Sequence, residues 1–190
     1  MTFFDPFLQR NALFAETGAF RDKPIYPASG ICVVTCLDPR TDPAAFLGVE
    51  LGEAAVLRNA GGRVNQNVID DLALITFLAD VKLKQGVEPL FEVVVVHHTD
   101  CGTKPLADPT FRSNFAARAG LDEAALLQEA VVDPVVTVRH DVEKLLHSTT
   151  LSPRISVSGH VYDVATGLVS TVIPSRRMPG FGDAENENRP

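Results

Sequence analysis

The chain has 190 residues and a mass of 20.5 kDa, enough for one domain with a sizeable core and too little for two. Its 45% hydrophobic content is ordinary for a globular protein, and no stretch approaches the roughly eighteen uninterrupted apolar residues of a membrane helix. A formal charge of -7 without any Lys/Arg run argues against nucleic acid or a membrane surface as partner.

The N-terminus Met1-Thr2-Phe3-Phe4-Asp5 lacks the basic start of a signal peptide, so a cytoplasmic location is expected. Asp5-Pro6 supplies the N-cap and first position of a helix running to about Gly18, with Leu8, Leu13, Phe14 and Phe20 as apolar positions. Lys23-Pro24-Ile25-Tyr26-Pro27 breaks that pattern before 31–36, a continuous apolar run that reads as a strand buried on both faces and ending at Cys36. Asp42-Pro43 repeats the cap signature for a short helix over 44–47. A strand over 54–60 is stopped by Gly61-Gly62, and Asn67 caps a long helix through Val68, Ile69, Leu72, Ala73, Ile75, Leu78 and Val81. The spacing predicts a buried strand over 91–97, delivering His97 and His98 to Thr99-Asp100-Cys101-Gly102.

Residues 103–120 read as turn-rich around Pro105 and Asp108-Pro109, placed to line a pocket mouth. A helix over 121–130 follows, and Asp133-Pro134 opens another with Val135, Val138, Val142, Leu145 and Leu146 inward. Residues 155–164 and 168–173 form a terminal hairpin through Thr166-Gly167. Strands alternating with crossover-length helices predict an α/β fold: a single domain over 1–173 with a mostly parallel sheet flanked by helices. An N-terminal helical arm (about 5–20) precedes the sheet, and a polar, mobile tail is expected over 174–190.

If strands 31–36 and 91–97 lie side by side and parallel, Cys36, His98 and Cys101 converge at one sheet edge. Two soft thiolates and one imidazole around a vacant position suit zinc with an open ligand site. Cys32, four residues before Cys36 and about 13 Å away along a strand, is a core residue. His97 faces opposite to His98, so a structural hydrogen bond is its expected role. Arg63, His140, His147 and His160 have no placement near zinc, and surface or interface roles are the default.

Cys-x-Asp-x-Arg at 36, 38 and 40, with His-x-x-Cys at 98 and 101 inside His-Thr-Asp-Cys-Gly, resembles the β-class carbonic anhydrases. Arg58-Asn59-Ala60-Gly61-Gly62 and Val161-Tyr162-Asp163-Val164-x-Thr166-Gly167 extend the likeness, which covers roughly residues 25 to 173. The resemblance implies a zinc lyase that hydrates carbon dioxide reversibly to bicarbonate and a proton. It implies Cys36, His98 and Cys101 as metal ligands and Asp38 and Arg40 as catalytic residues. It also implies a homodimer or homotetramer, with the N-terminal helix embracing a partner subunit.

Asp38 either takes the fourth zinc position or accepts a proton from zinc-bound water, and a bidentate Arg40 would hold it off the metal. Two thiolates offset the charge of the metal, so the water should acidify less and activity should favour alkaline pH. Two other readings stand beside this one: a zinc hydrolase of carbon disulfide or carbonyl sulfide, and a noncatalytic closed site in which Asp38 is a permanent ligand. The sequence departs from the resembled family at His97, where a small residue is usual, and at Thr103-Lys104-Pro105-Leu106, where more hydrophobic residues are.

Overall fold

The computed structural model describes residues 2–82 and 90–179. What the sequence predicts for 83–89 and 180–190 lies outside the described residues.

Five strands form one sheet: β1 (Ile31–Cys36), β2 (Ala54–Asn59), β3 (Glu92–His98), β4 (Ser156–Asp163) and β5 (Leu168–Arg177). Their order is β2-β1-β3-β4-β5, with the first four parallel and β5 antiparallel to β4. The β-branched runs of β1 and β3 occupy adjacent inner positions, where side chains on both faces are buried. Because β1 leads to β2 on one flank while β3 lies on the other, successive connections diverge and open a crevice beyond the C-terminal ends of β1 and β3. Cys36 and His98 are the last residues of those two strands.

Helix α1 (Asp5–Thr17) buries none of its residues and ends at Gly18, whose φ of 66° supplies a left-handed cap. Asp5 is its first residue rather than its cap: the carboxylate accepts from the Thr2 N–H and hydroxyl, both at 2.7 Å. Helix α2 (Pro43–Phe46) is capped as predicted, Asp42 accepting from the Ala44 N–H. For α3 (Gln66–Lys82) the cap is Asn65, two residues before the predicted Asn67, with its Oδ1 accepting from the Val68 N–H at 3.3 Å. Val68, Leu72 and Ala79 of α3 join Cys32, Val34, Val93 and Val95 in the main core. Leu78 and Val81, read as inward, are exposed together with Leu74 and Phe77. A helix with apolar residues on more than one face satisfies the period more than once, and only docking decides which face is buried.

The turn-rich stretch contains a helix the sequence reading missed, α4 (Pro109–Ala119), capped by Asp108 and closed by Gly120 in the left-handed region. Asp-Pro is a turn signal and equally an N-cap followed by N1, and here the second use wins. Helices α5 (Glu123–Gln128) and α6 (Pro134–Leu146) follow. Val138, Val142, Leu145 and Leu146 of α6 are buried against the sheet, whereas Val135 is exposed near the cap, where the helix has not yet reached the core. Strand β5 continues four residues past the predicted boundary at 173, and Met178 is buried, its N–H bonded to the Ile155 carbonyl. Pro174 is tolerated because β5 is an edge strand.

Candidate metal centre

The ligand atoms of Cys36, His98 and Cys101 all lie within 4.8 Å of one another, and all three residues are buried. The His98 Nδ1 is 2.9 Å from the Thr99 carbonyl, which can only accept, so Nδ1 carries the proton and Nε2 presents a lone pair. That Nε2 is buried and has no hydrogen-bond partner among the described residues. An orphaned buried acceptor costs about 1–3 kcal/mol unless something fills the space before it. A soft divalent ion fits: two sulfurs and one imidazole nitrogen are a zinc donor set with a fourth position left over. A hydrogen bond from the Cys36 thiol outweighs burial and, with help from Thr103, pulls Cys101 down to about 3. The same bond, together with burial, pushes Cys36 up. A dication held between the two sulfurs would favour both as thiolates.

The loop after β1 is clamped through its backbone. Arg58 donates to the Cys36 carbonyl at 3.0 Å and to the Asp38 carbonyl at 2.7 Å, and the Thr41 hydroxyl contacts the same two oxygens. On this fixed turn Arg40 grips Asp38 with Nε on Oδ1 at 3.0 Å and Nη2 on Oδ2 at 2.8 Å. The guanidinium is anchored from behind by Asp100, through its side chain at 3.0 Å and its carbonyl at 2.9 Å. Asp100 adopts a φ of 54°, unusual for a residue with a side chain and a consequence of turning the chain sharply between His98 and Cys101. The Arg40 hydrogen bond holds the Asp38 carboxyl down at about 2, against the opposing effect of burial. A cleft of about 630 Å³ opens beside Cys101 and Arg40, lined also by Asp100, Lys104, Pro105 and Asp108. Residues just after Gly102 thus stand at the mouth, as the sequence predicts.

Comparison with known proteins places this arrangement. The carbonic anhydrase family model matches residues 31–169, which include all three candidate ligands and the Asp38–Arg40 pair. The chain belongs to the β-class carbonic anhydrase family. Beta-carbonic anhydrase 1 of Mycobacterium tuberculosis is 32% identical over 174 residues, covering 92% of this chain and all of that protein. The crystal structure of a carbonic anhydrase from Streptococcus mutans superposes with a TM-score of 0.75 at 33% identity, over 90% of this chain and 98% of that one. A carbon disulfide hydrolase of Saccharolobus solfataricus is 30% identical over 104 residues, 55% of this chain and 44% of that protein.

In this carbonic anhydrase family member the ligand strands are braced by a buried ionic network. Arg63, which the sequence reading left at the surface or an interface, is 3% exposed and makes two bonds to Asp141, at 2.7 and 2.9 Å. Asp141 also accepts from the Val64 N–H at 2.9 Å, and Arg63 reaches the Gln128 carbonyl. His97 faces away from the ligand cluster as predicted, contacting Thr137 at 2.7 Å and the Gly62 carbonyl at 3.1 Å. Burial alone would raise the Asp141 carboxyl, but hydrogen bonds from Arg63 and His97 hold it well below the usual carboxylate range. The network fixes the Gly61-Gly62 turn against β1. Gly62 has a φ of 66°, and a Cβ there would lie 2.8 Å from the Cys36 nitrogen, so only glycine lets the turn touch the ligand strand.

Cys32 is core, and His140 and His147 are largely exposed, as read from the sequence. Arg58, Asp100, Thr103 and Asp141 were given no role there. Asp141 carried a signal: it lies on the same helical stripe as Val138, Val142 and Leu145, and a carboxylate on an inward stripe requires a buried partner.

Proposed function

We propose that this protein is a zinc-dependent lyase catalysing the reversible hydration of carbon dioxide to bicarbonate and a proton. The observation that carries the proposal is the unpartnered, inward-facing His98 Nε2 grouped with two cysteine sulfurs beside a carboxylate that Arg40 holds. When bound, zinc would supply Lewis acidity and a water acidic enough to attack a small uncharged electrophile. Cys36, His98 and Cys101 would hold the ion. Asp38 accepts the proton released in the reaction, and Arg40 keeps that carboxylate charged, oriented and out of the ligand cluster. Bidentate capture of Asp38 favours this open arrangement over a closed structural site. The two thiolates offset the ionic charge, so hydration should strengthen toward alkaline pH. Three free cysteines are at home in a reducing compartment, and we place the protein in the cytoplasm.

Stopped-flow carbon dioxide hydration by protein carrying about one zinc per chain, run beside carbon disulfide hydrolysis, tests the reading. Fast hydration with little carbon disulfide turnover is expected. The reverse ranking would reassign the substrate, and absence of zinc in wild type and Cys101→Ser alike would remove the basis for either activity.

We propose a homodimer, or a homotetramer built from it, as the working form. Phe3, Phe4, Phe7, Leu8, Leu13 and Phe14 stand exposed on or before α1, and Leu74 and Phe77 stand exposed on α3. So much apolar surface calls for a partner, and a second copy is the simplest one. Light scattering at micromolar concentration should show a multiple of 20.5 kDa; a lone 20.5 kDa species would contradict this assembly.

A further inference from the structure

Thr103 lies two residues after Cys101, and its hydroxyl is 3.4 Å from the Cys101 sulfur. It is also 3.2 Å from the Val131 backbone nitrogen. The Val131 N–H can only donate, so it takes a lone pair of the Thr103 oxygen and leaves the hydroxyl proton free. A cysteine that ligates a metal is a thiolate with no proton to give, so the remaining bond must run from the Thr103 hydroxyl to Cys101.

The surroundings hold the hydroxyl in this role. Val131 is buried and forms one apolar cluster with Cys36 and Cys101, which fixes its backbone N–H beside the Thr103 hydroxyl. Gly61 closes the other side: a Cβ there would come within 3.2 Å of both the Thr103 oxygen and a Val131 methyl. Cys36 differs, receiving its hydrogen bonds from the Asp38 and Gly61 backbone N–H groups. Of the two sulfurs, Cys101 thus has a side-chain donor that substitution can remove.

We propose that Thr103 is a positioning residue for the metal centre: its hydroxyl, oriented by the Val131 N–H, donates to the Cys101 sulfur and sets that ligand's direction and donor strength. The proposal rests on the zinc reading above. Hydrogen bonding draws charge from the sulfur, so Cys101 neutralises the ion less than a bare thiolate would, and the polarising power of the centre rises. Outer partners of this kind commonly change metal affinity by about 10–100-fold.

The test uses full-length protein loaded with cobalt(II), read by near-ultraviolet thiolate-to-cobalt absorption, and with zinc, read by competition against a chelator. Wild type should show the thiolate band, and Cys101→Ser should weaken it; absence of the band in wild type overturns the metal reading and this inference with it. With the band present, Thr103→Val should move it to lower energy, because the sulfur regains its full charge, and weaken zinc binding roughly tenfold, because the thiolate loses the donor that orients it. Thr103→Ser should keep both wild-type values. Thr103→Ala against Thr103→Ser isolates the hydroxyl even if the valine variant folds poorly. Unshifted bands and unchanged zinc affinity in Thr103→Ala or Thr103→Val overturn the inference alone, since a residue that only packs leaves the sulfur's charge untouched.

Discussion

Arg40→Ala should lose carbon dioxide hydration near neutral pH by on the order of 10²-fold or more while retaining its zinc. In wild type the guanidinium binds both oxygens of Asp38 and is itself tied to Asp100, so the carboxylate has one stable orientation. Without Arg40 the carboxylate loses its counter-charge and its tether together. Asp38, one residue beyond Leu37 on the ligand loop, is then free to turn toward Cys36, His98 and Cys101 and act as a fourth ligand. Raising the pH should recover less activity in this variant than in wild type, because the competing carboxylate is no longer restrained. Asp38→Ala gives the complementary result: the acceptor is lost but nothing covers the ligand cluster, so the zinc-loaded variant should still bind thiocyanate. Hydration rate against pH for the three proteins, with zinc measured on each sample, checks both outcomes. Full neutral-pH activity in Arg40→Ala with normal zinc would reduce the pair to an ordinary ion pair.

Asp141→Ala should destabilise the fold by about 3–5 kcal/mol, since it leaves the Arg63 guanidinium buried without its counter-ion. It also strands the Val64 N–H and removes the carboxylate oxygen 3.3 Å from the His97 Nε2. Replacing both ends, as in Arg63→Met with Asp141→Leu, should recover much of the loss, because two apolar groups need no partner. Urea unfolding at fixed protein concentration measures both. The wild-type pair should also make stability depend on acid. The Asp141 carboxyl titrates below its unfolded value, so its contribution is complete above the unfolded carboxylate value of about 4. As pH falls below that, the unfolded chain binds the proton first, and the contribution is lost progressively toward the lower folded value. A flat acid limb in wild type, or an Asp141→Ala variant as stable as wild type, would show that the network does not support the fold.

The grouping of the candidate ligands was legible from sequence because its parts are local. Cys36, Asp38 and Arg40 lie within five residues, His98 and Cys101 within four, and both groups follow β-branched runs that can only be buried strands. A parallel pairing of those strands then suffices to bring the two groups together, and the register of β1 on β3 does so. The opposite facing of His97 and His98 follows from the pleat alone, whatever surrounds the strand.

What covers and braces these residues was decided by contacts between distant segments. Arg63 and Asp141 are 78 residues apart, Thr103 and Val131 are 28 apart, and Arg58 reaches back 22 residues to the Cys36 carbonyl. Each contact depends on how a helix docks or a loop closes, which no residue spacing specifies. The same holds for α3, where the apolar pattern marks two faces and docking buries Val68 and Leu72 while leaving Leu74 and Phe77 outside. Strand identity, the candidate ligand set and the Asp38–Arg40 pair are short-range properties of the chain. The donor on Cys101, the buried ion pair behind the ligand strands and the exposed apolar faces exist only once tertiary packing has chosen, for each polar or apolar group, what lies opposite it.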